Sequence, residues 1–271
     1  MSVHLQESRN QEPRTPERRT ADTPRQRTEG ASLEGAANPQ ATAQAVREMF
    51  SEIAPRYDLL NHVLSMNVDR LWWRRTARRF DSILSRPDAR ILDLCCGTGD
   101  MAFALARRAR SGAKIVGADF AHPMLQRATI KSLKFSKAPS WIEADALNLP
   151  FASDAFNLVA SAFGFRNLAN YDDGLKEILR VLKPGGECGI LECSEPEGLF
   201  GTLYRFYFRQ VLPRIGTVLS GVKGPYTYLP ASVERFPKPP EMLERMRSAG
   251  FREVAWTPYT FGIASLYSGR K

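Results

Sequence analysis

One short segment limits the fold of this chain more than any other. Residues 92–100 read Leu-Asp-Leu-Cys-Cys-Gly-Thr-Gly-Asp, so an apolar strand runs into a tight glycine turn and then into a helix. The next apolar strand ends on an acid, Asp119. In α/β sheets the glycines of such a turn let the backbone approach a ligand, and the acid accepts hydrogen bonds from ribose hydroxyls. The pattern predicts a site for an adenosine-containing cofactor that includes Gly97, Gly99 and Asp119.

Strands and helices alternate along most of the chain after residue 88. Repeated β-α-β units of this kind form a parallel sheet with helices on both faces. We therefore predict an α/β fold with a seven-stranded, mostly parallel, doubly wound sheet. The predicted strands cover residues 89–95, 114–119, 140–143, 156–162, 187–193, 253–258 and 262–267, and the predicted helices cover residues 100–110, 123–133, 171–182 and 240–248.

The first 40 residues differ in composition from the rest. They contain four prolines and no aromatic residue, so they cannot bury enough apolar surface to offset the entropy of ordering. We predict a disordered tail over residues 1–40. We expect no secretory signal, because an apolar stretch is missing, and no mitochondrial presequence, because six acids balance six arginines. Residues 41–271 are predicted to form one domain of a cytoplasmic protein.

Two further segments are predicted to lie over the sheet as lids. Residues 41–80 carry apolar residues at helical spacing on both sides of Pro55, which breaks a helix, so we expect helices over residues 41–54 and 57–80. Residues 195–237 do not continue the alternation of strands and helices. Their aromatic, glycine-rich sequence predicts an inserted helical lid.

The predicted domain is strongly basic, because the chain has a formal net charge of +9 and the tail is neutral. Such a charge favours a membrane surface, nucleic acid or an acidic substrate as partner, and ordinary solubility also accounts for it. The Arg-Trp run over residues 70–79 and the aromatic residues over 203–208 suit transient peripheral contact with the inner face of a membrane. No stretch approaches the ~18 apolar residues of a membrane span. We recognise no nucleic-acid-binding motif and expect no such partner.

Metal chemistry has little support in the sequence. The chain has four cysteines and three histidines, and no two cysteines have the Cys-x-x-Cys spacing. We therefore predict reduced thiols and no metal site.

The glycine loop alone does not identify the cofactor. Ala102 occupies the third small-residue position of a dinucleotide loop, so the loop itself leaves NAD open. Asp93 lies inside the first strand, Asp119 ends the second, and Asp145 follows the third, where the Ala146 N–H would serve an adenine ring nitrogen. Acids along one cleft attract a sulfonium and an ammonium but repel a pyrophosphate. The acids favour S-adenosylmethionine over NAD.

These residues, with Leu-Lys-Pro-Gly-Gly at 182–186, resemble the class I S-adenosylmethionine-dependent methyltransferases. Three other segments, residues 50–61, 163–167 and 226–237, are similar to the ubiquinone/menaquinone biosynthesis C-methyltransferase family, and generic methyltransferases lack them. The resemblance spans residues 45–271. It implies methylation of a ring carbon on a polyprenylated quinol, with demethylmenaquinol the expected acceptor and a ubiquinone precursor or plastid-type quinol left open. It places the cofactor on the positions of Thr98, Asp119, Asp145 and Ala146.

Carbon methylation of a quinol sets two tasks for the protein. A ring carbon becomes nucleophilic when the neighbouring hydroxyl is deprotonated, so the phenolate has to be stabilised and the ring proton then removed. We predict Arg166, after the fourth strand, as the cation at that oxygen, and Asn167 as the residue that orients it. The candidates for proton removal are Tyr57, Asp58 and His62.

Other functions stay open at this point. A methyltransferase for another small molecule, such as a sterol or a phenol, would share the cofactor residues. An RNA-binding protein or RNA methyltransferase would suit the charge, and a cofactor-free scaffold is the remaining alternative. The sequence does not indicate the length of the isoprenoid tail or whether the chain forms a homo-oligomer.

Overall fold

The computed structural model describes residues 29–31, 38–58, 65, 67–196, 198–211 and 224–271. At the amino-terminal end, Asn38 caps helix α1 (Pro39–Ile53), and its side chain accepts from the Ala41 N–H at 2.8 Å. A 3-10 turn (Ala54–Arg56) ends it, because Pro55 cannot continue the α-helical hydrogen bonds. Helices α2 (Val68–Arg79) and α3 (Asp81–Leu84) then lead into the sheet.

Seven strands form one sheet in the order β3-β2-β1-β4-β5-β7-β6. The first five strands pair in parallel, and β7 pairs antiparallel with both β5 and β6. The predicted α/β sheet is therefore confirmed. The strands are β1 (Arg90–Leu94), β2 (Lys114–Asp119), β3 (Ser140–Glu143), β4 (Phe156–Ala162), β5 (Leu182–Cys193), β6 (Arg252–Tyr259) and β7 (Ala264–Arg270).

The helices that connect these strands cover both faces of the sheet and enclose two hydrophobic clusters. One cluster contains buried residues of α2 and α3 with those of β1 and the following helix, including Trp72, Phe80 and Leu105. The other lies on the opposite face and includes Leu175, Ile178 and Met246. The connecting helices are α4 (Asp100–Arg108), α5 (His122–Ser132), α6 (Tyr171–Val181), α7 (Gly198–Phe206), α8 (Gly224–Arg235) and α9 (Pro239–Ala249).

Some boundaries differ from the sequence prediction. Strand β5 begins at Leu182, five residues earlier than predicted, because Leu182 pairs with Phe156 and the next pair joins Glu187 to Leu158. The register of the two strands shifts at the glycine-rich segment between these pairs. Of the helix predicted over residues 57–80, the structure describes only its end, α2, together with Tyr57, Asp58, Ser65 and Asn67.

The predicted disordered tail lies largely outside the described residues. Its residues 29–31 are described and contact residues 168–171, and residues 38–40 belong to the start of α1. The segment 195–237 contains α7, a π-helical turn (Tyr207–Val211) and α8. Its predicted function as a lid stays a prediction.

Candidate functional site

A cavity of about 940 Å³ opens where the carboxyl ends of β1, β2, β3 and β4 meet. The chain order reverses between β1 and β4, because strands two and three lie on one side of β1 and strands four and five on the other. Ligands bind at such a switch point in open α/β sheets. Side chains of α1 form the facing wall, among them Gln44, Arg47 and Phe50.

Gly97 and Thr98 of the predicted glycine loop line the floor of this cavity, and Gly99 is not among the lining residues. Gly97 and Gly99 both have positive φ, 53° and 88°, a conformation that costs glycine little. A Cβ at Gly99 would lie 2.4 Å from the ring of Trp141, so only glycine fits there. A Cβ at Gly97 would meet only Tyr57, 3.9 Å away, which leaves its backbone open to a ligand.

Asp119 ends β2 and holds two loops together. One carboxylate oxygen accepts from the Gly97 N–H at 2.8 Å, and the other accepts from the Ala121 N–H at 2.9 Å. Burial raises the pKa of Asp119, and these backbone donors oppose that shift. Each oxygen keeps a second lone pair, so the side chain can still accept from a diol in the cavity.

Asp93 differs from Asp119, although both line the cavity. Its side chain is fully buried in β1, and neither carboxylate oxygen makes a hydrogen bond of normal geometry within the described residues. Burial raises the pKa of Asp93 well above its usual range, and the Ala102 N–H opposes this shift only in part. An unpartnered buried carboxyl group is costly, so it marks a position where a cationic or hydrogen-bonding ligand is expected.

The third predicted acid follows β3. Asp145 is exposed on the cavity wall and accepts from the Leu147 N–H at 2.9 Å, while Ala146 beside it is buried. Glu143, at the end of β3, accepts from Arg47 of α1 and bonds His122 Nδ1 at 2.9 Å. The structure therefore brings the acids predicted to bind the cofactor to one edge of the sheet, and α1 is tied to the same edge.

Thr98 lies in a polar cluster that sequence reasoning missed. Its hydroxyl donates to Asp58 at 2.5 Å and accepts from Lys131 of α5 at 3.1 Å. Lys131 also contacts the carboxylates of Asp58 at 3.3 Å and Asp100 at 2.6 Å. Lys131 carries no sequence signal, because a lysine late in an amphipathic helix is ordinarily a solvated side chain. The cluster fixes Asp58 to the glycine loop, and Asp58 does not line the cavity.

The opposite half of the cavity is formed by the end of β4 and the segment after it. Ala162, Phe163, Gly164, Asn167 and Leu168 line this half. The Asn167 Oδ1 accepts from the Tyr228 hydroxyl at 3.0 Å, which leaves the amide Nδ2 as a donor.

Arg166, the predicted cation, lies behind this wall and is not among the residues that line the cavity. Its Nη1 donates to Glu192 at 2.9 Å and to the Phe163 carbonyl, and its Nε donates to Ser232 at 3.3 Å. Burial is the largest single influence on Arg166 and lowers its pKa, but the charge and hydrogen bond of Glu192 together with neighbouring Cys193 and Tyr57 outweigh it, so the pKa is raised and the guanidinium stays charged. This placement favours a positioning role, and the predicted catalytic role stays a prediction.

The three candidates for proton removal lie in different places. Tyr57 lines the cavity and packs edge-on against Phe50, with ring centroids 6.1 Å apart. Asp58 is held by Thr98 and Lys131. His62 lies outside the described residues.

Two non-glycine residues of the cavity wall have left-handed backbone conformations. Cys95, after β1, has φ 53°, and Phe163, after β4, has φ 61°. Such residues cost on the order of 1–3 kcal/mol each and concentrate at functional sites. Burial raises the pKa of the Cys95 thiol well above its usual range, which disfavours the reactive thiolate form.

The described residues also bear on metal binding and on membrane insertion. They hold no group of three or more His, Cys, Asp and Glu side chains placed to bind a metal ion. No helix in the same ranges has both the length and the apolar content that a membrane span requires.

Sequence relatives match nearly the whole described chain. The family model of the ubiE/COQ5 methyltransferase family matches residues 38–271. A demethylmenaquinone methyltransferase from Deinococcus radiodurans is 48% identical over 233 residues, which cover 86% of this chain and 95% of that protein. Another protein of that name, from Thermus thermophilus, is 51% identical over 222 residues, which cover 82% of this chain and 99% of that protein. The ubiquinone/menaquinone biosynthesis C-methyltransferase UbiE of Geobacter sulfurreducens is 44% identical, over 84% and 89% of the two chains.

Solved structures agree on the fold. An S-adenosylmethionine-dependent methyltransferase from Thermotoga maritima superposes with a TM-score of 0.59 at 18% identity, over 83% of this chain and 99% of that one. The [4+2]-cyclase SpnF has the same score and identity, over 90% and 98% of the two chains. Because a cyclase shares the architecture, these similarities show the fold and not the reaction. The sequence match over residues 38–271 is what shows that the chain belongs to the ubiE/COQ5 methyltransferase family.

Proposed function

We propose that this S-adenosylmethionine-dependent methyltransferase methylates a ring carbon of demethylmenaquinol. The observation that carries the proposal is a two-part cavity, with Asp93, Asp119 and Asp145 at one end and the apolar wall of Phe163 and Leu168 at the other. A cationic cofactor and an apolar aromatic ring would meet between them. The two relatives at 48% and 51% identity are named for demethylmenaquinone, which supports this acceptor over a ubiquinone precursor.

The residues at the acidic end fit S-adenosylmethionine. Asp119 has lone pairs for the ribose hydroxyls, and Asp145 with the Ala146 N–H would take the adenine edge. The buried side chain of Asp93 makes no hydrogen bond of normal geometry within the described residues and would gain a partner from the cationic amino-acid part of the cofactor. When bound there, the cofactor supplies an activated methyl group on a sulfonium.

At the other end, Asn167 is the residue that we propose contacts the acceptor oxygen. Tyr228 donates to its Oδ1, which leaves Nδ2 to donate to the acceptor. A donor aimed at a developing phenolate stabilises the nucleophilic form of the ring. Arg166 acts through Asn167, because its ion pair with Glu192 holds the segment that carries Asn167 against β5.

Tyr57 completes the proposed acceptor site. It is the one residue of the three predicted candidates that the structure describes in the cavity wall, close to the glycine loop. We propose that its ring excludes water above the transferring methyl group, and that its hydroxyl lies on the route by which the ring proton leaves.

Incubation with methyl-labelled S-adenosylmethionine tests this function. We expect labelled menaquinol from demethylmenaquinol, with the label on the ring carbon by mass spectrometry, and slower turnover of a ubiquinone precursor. Preferred methylation of the ubiquinone precursor would support the second candidate acceptor. Methylation of RNA, or of phenols but no quinol, would contradict the proposal.

We further propose that the cavity edge of the sheet contacts an anionic membrane, from which a polyprenylated acceptor would enter. Three exposed apolar residues lie on neighbouring elements: Leu71 (59% exposed) on α2, Phe206 (62%) on α7 and Phe261 (85%) on the turn before β7. Trp72 links α2 to that turn by a hydrogen bond to Thr260 at 2.8 Å. The outer face of α2 that carries Leu71 also exposes Arg74, Arg75 and Arg78. Exposed aromatic residues beside arginines suit the headgroup region of anionic lipids.

Liposome co-sedimentation tests this surface. Binding is expected to rise with the fraction of anionic lipid, and to fall in Leu71→Ser and Phe261→Ser. Leu133→Ser is the matched control, because Leu133 is 84% exposed at the end of α5. Indifference to lipid charge, or equal losses in the control, would contradict the proposed surface.

A further inference from the structure

Three residues that precede the family match contact the acceptor half of the cavity. The Ala31 N–H donates to the Leu168 carbonyl at 2.7 Å, and the Tyr171 N–H donates to the Glu29 carbonyl at 2.8 Å. Both bonds join backbone atoms. We call residues 29–31 the strap.

Gly30, in the middle of the strap, lies closer to the backbone of Ala169 and Asn170 than any other residue type would allow. It is buried, and a Cβ at this position would lie 2.0 Å from the Ala169 carbonyl oxygen and 2.8 Å from the Asn170 nitrogen. These are backbone atoms, which cannot move aside as a flexible side chain can. Any side chain at residue 30 would therefore lift the strap from its seat.

The strap is seated on the rim of the acceptor site. Asn167, Leu168 and Ala169 line the cavity. The bond to Glu29 also satisfies the Tyr171 N–H at the start of α6, one of the helix-terminal donors that lack a partner within the helix. The strap thus contacts the rim segment from Leu168 to Tyr171 at both of its ends.

The strap lies outside the segment that the family model matches. The family model begins at residue 38, and the Thermus thermophilus relative is matched over 99% of its length by 222 residues of this chain. Almost none of that relative's own length lies outside the match.

We propose that the strap holds the rim that carries Asn167 in the conformation that binds the quinol, and so strengthens binding of the acceptor but not of the cofactor. The inference rests on the proposed function, because it assigns the acceptor to this half of the cavity. The physical reason is conformational entropy. A rim that already makes two backbone hydrogen bonds to the strap loses less freedom when the acceptor binds. The cofactor half has no contact with residues 29–31 among the hydrogen bonds of the described chain.

Two variants of the full chain release the strap by different means. Gly30→Val introduces the excluded side chain, and Ala31→Pro removes the N–H that donates to Leu168. Glu29→Gln is the matched control, because the exposed side chain changes while the backbone carbonyl that accepts from Tyr171 remains.

Hydrogen exchange and equilibrium dialysis together test the proposal. In the unaltered protein the Tyr171 amide is expected to be protected, and both releasing variants should speed its exchange at least tenfold. Their dissociation constant for a short-tailed demethylmenaquinol should rise about three- to tenfold by loss of preorganisation, with that for S-adenosylmethionine changed less than twofold. The control should match the unaltered protein.

The proposal fails if Tyr171 is unprotected in the unaltered protein, or if strap release leaves quinol binding unchanged. It also fails if both ligands weaken equally, which would indicate general damage. If the unaltered protein binds the quinol but does not methylate it, the proposed function fails while the strap result stands.

Discussion

The two halves of the cavity are held together by different kinds of contact. In the cofactor half, Asp93, Asp119 and Asp145 lie on or just after their own strands, and Asp119 supports the loops on either side through backbone N–H groups. In the acceptor half, side chains from distant segments support one another: Arg166 pairs with Glu192, 26 residues away, and Asn167 with Tyr228, 61 residues away. The strands themselves thus place the acids of the cofactor half, whereas the acceptor half depends on side-chain pairs between distant segments.

The largest expected effect comes from the buried ion pair of the acceptor half. Arg166→Met leaves Glu192, which is fully buried, without its cation. Breaking such a pair costs about 3–5 kcal/mol, because a buried charge is left uncompensated. Urea denaturation should show a loss of this size in the free energy of unfolding.

An exposed arginine provides the control for that measurement. Arg247 pairs with Glu244 across one helical turn, and both side chains are at least half exposed. Arg247→Met should cost less than about 1 kcal/mol. The double variant Arg166→Met/Glu192→Leu should recover most of the loss. Equal losses in Arg166→Met and Arg247→Met would show that the acceptor half does not depend on this pair.

The free energy of unfolding should depend on pH through Asp93 of the cofactor half. The pKa of Asp93 is raised by burial, so the folded protein keeps a proton that the unfolded chain loses near pH 4. The free energy of unfolding should therefore fall as pH rises from about 4 through the raised pKa, and Asp93→Asn should flatten this fall. Asp119 contributes in the same direction, so the flattening is partial.

Cofactor binding should remove the proton that the folded protein keeps on Asp93. A cationic ligand favours the ionised form of Asp93, so binding of S-adenosylmethionine should release protons and strengthen as pH rises. Calorimetry in buffers of different ionisation enthalpy measures the release. Asp93→Asn should reduce it, and Asp145→Asn, an exposed acid of the same cavity, should not. An unchanged release in Asp93→Asn would show that Asp93 does not face the cationic part of the cofactor.

The smallest expected effect concerns the contact between α1 and the cofactor half. Arg47 and Glu143 are both about half exposed, so their ion pair is weak and screened by salt. Arg47→Met should raise the dissociation constant for S-adenosylmethionine by about two- to threefold at low salt, and the difference should vanish near 0.5 M salt. Arg86→Met, at the remote exposed pair with Asp88, should have no effect. A difference that persists in high salt would indicate that Arg47 contacts the cofactor directly.

The same contrast explains what the sequence could predict. The glycine loop and the acids lie on or just after their strands, so the β-α-β pattern places them at one edge of the sheet. Glu192 lies in an apolar strand and Lys131 late in a helix, and neither position carries a signal before the fold brings it to Arg166 or Thr98. The strap binds through backbone atoms, so its sequence carries no signal apart from the glycine at residue 30.

Two variants, Asp119→Asn and Asn167→Ala, test most directly whether the cavity is divided into a cofactor half and an acceptor half. Asp119→Asn should weaken S-adenosylmethionine about 10- to 100-fold, because hydrogen bonds to a charged acceptor are lost. Asn167→Ala should lower kcat with demethylmenaquinol about 100-fold, while the cofactor dissociation constant, measured by calorimetry, changes less than twofold. If Asn167→Ala weakens the cofactor as much as Asp119→Asn does, or if Asp119→Asn binds the cofactor normally, the two halves are not separate and the account is wrong.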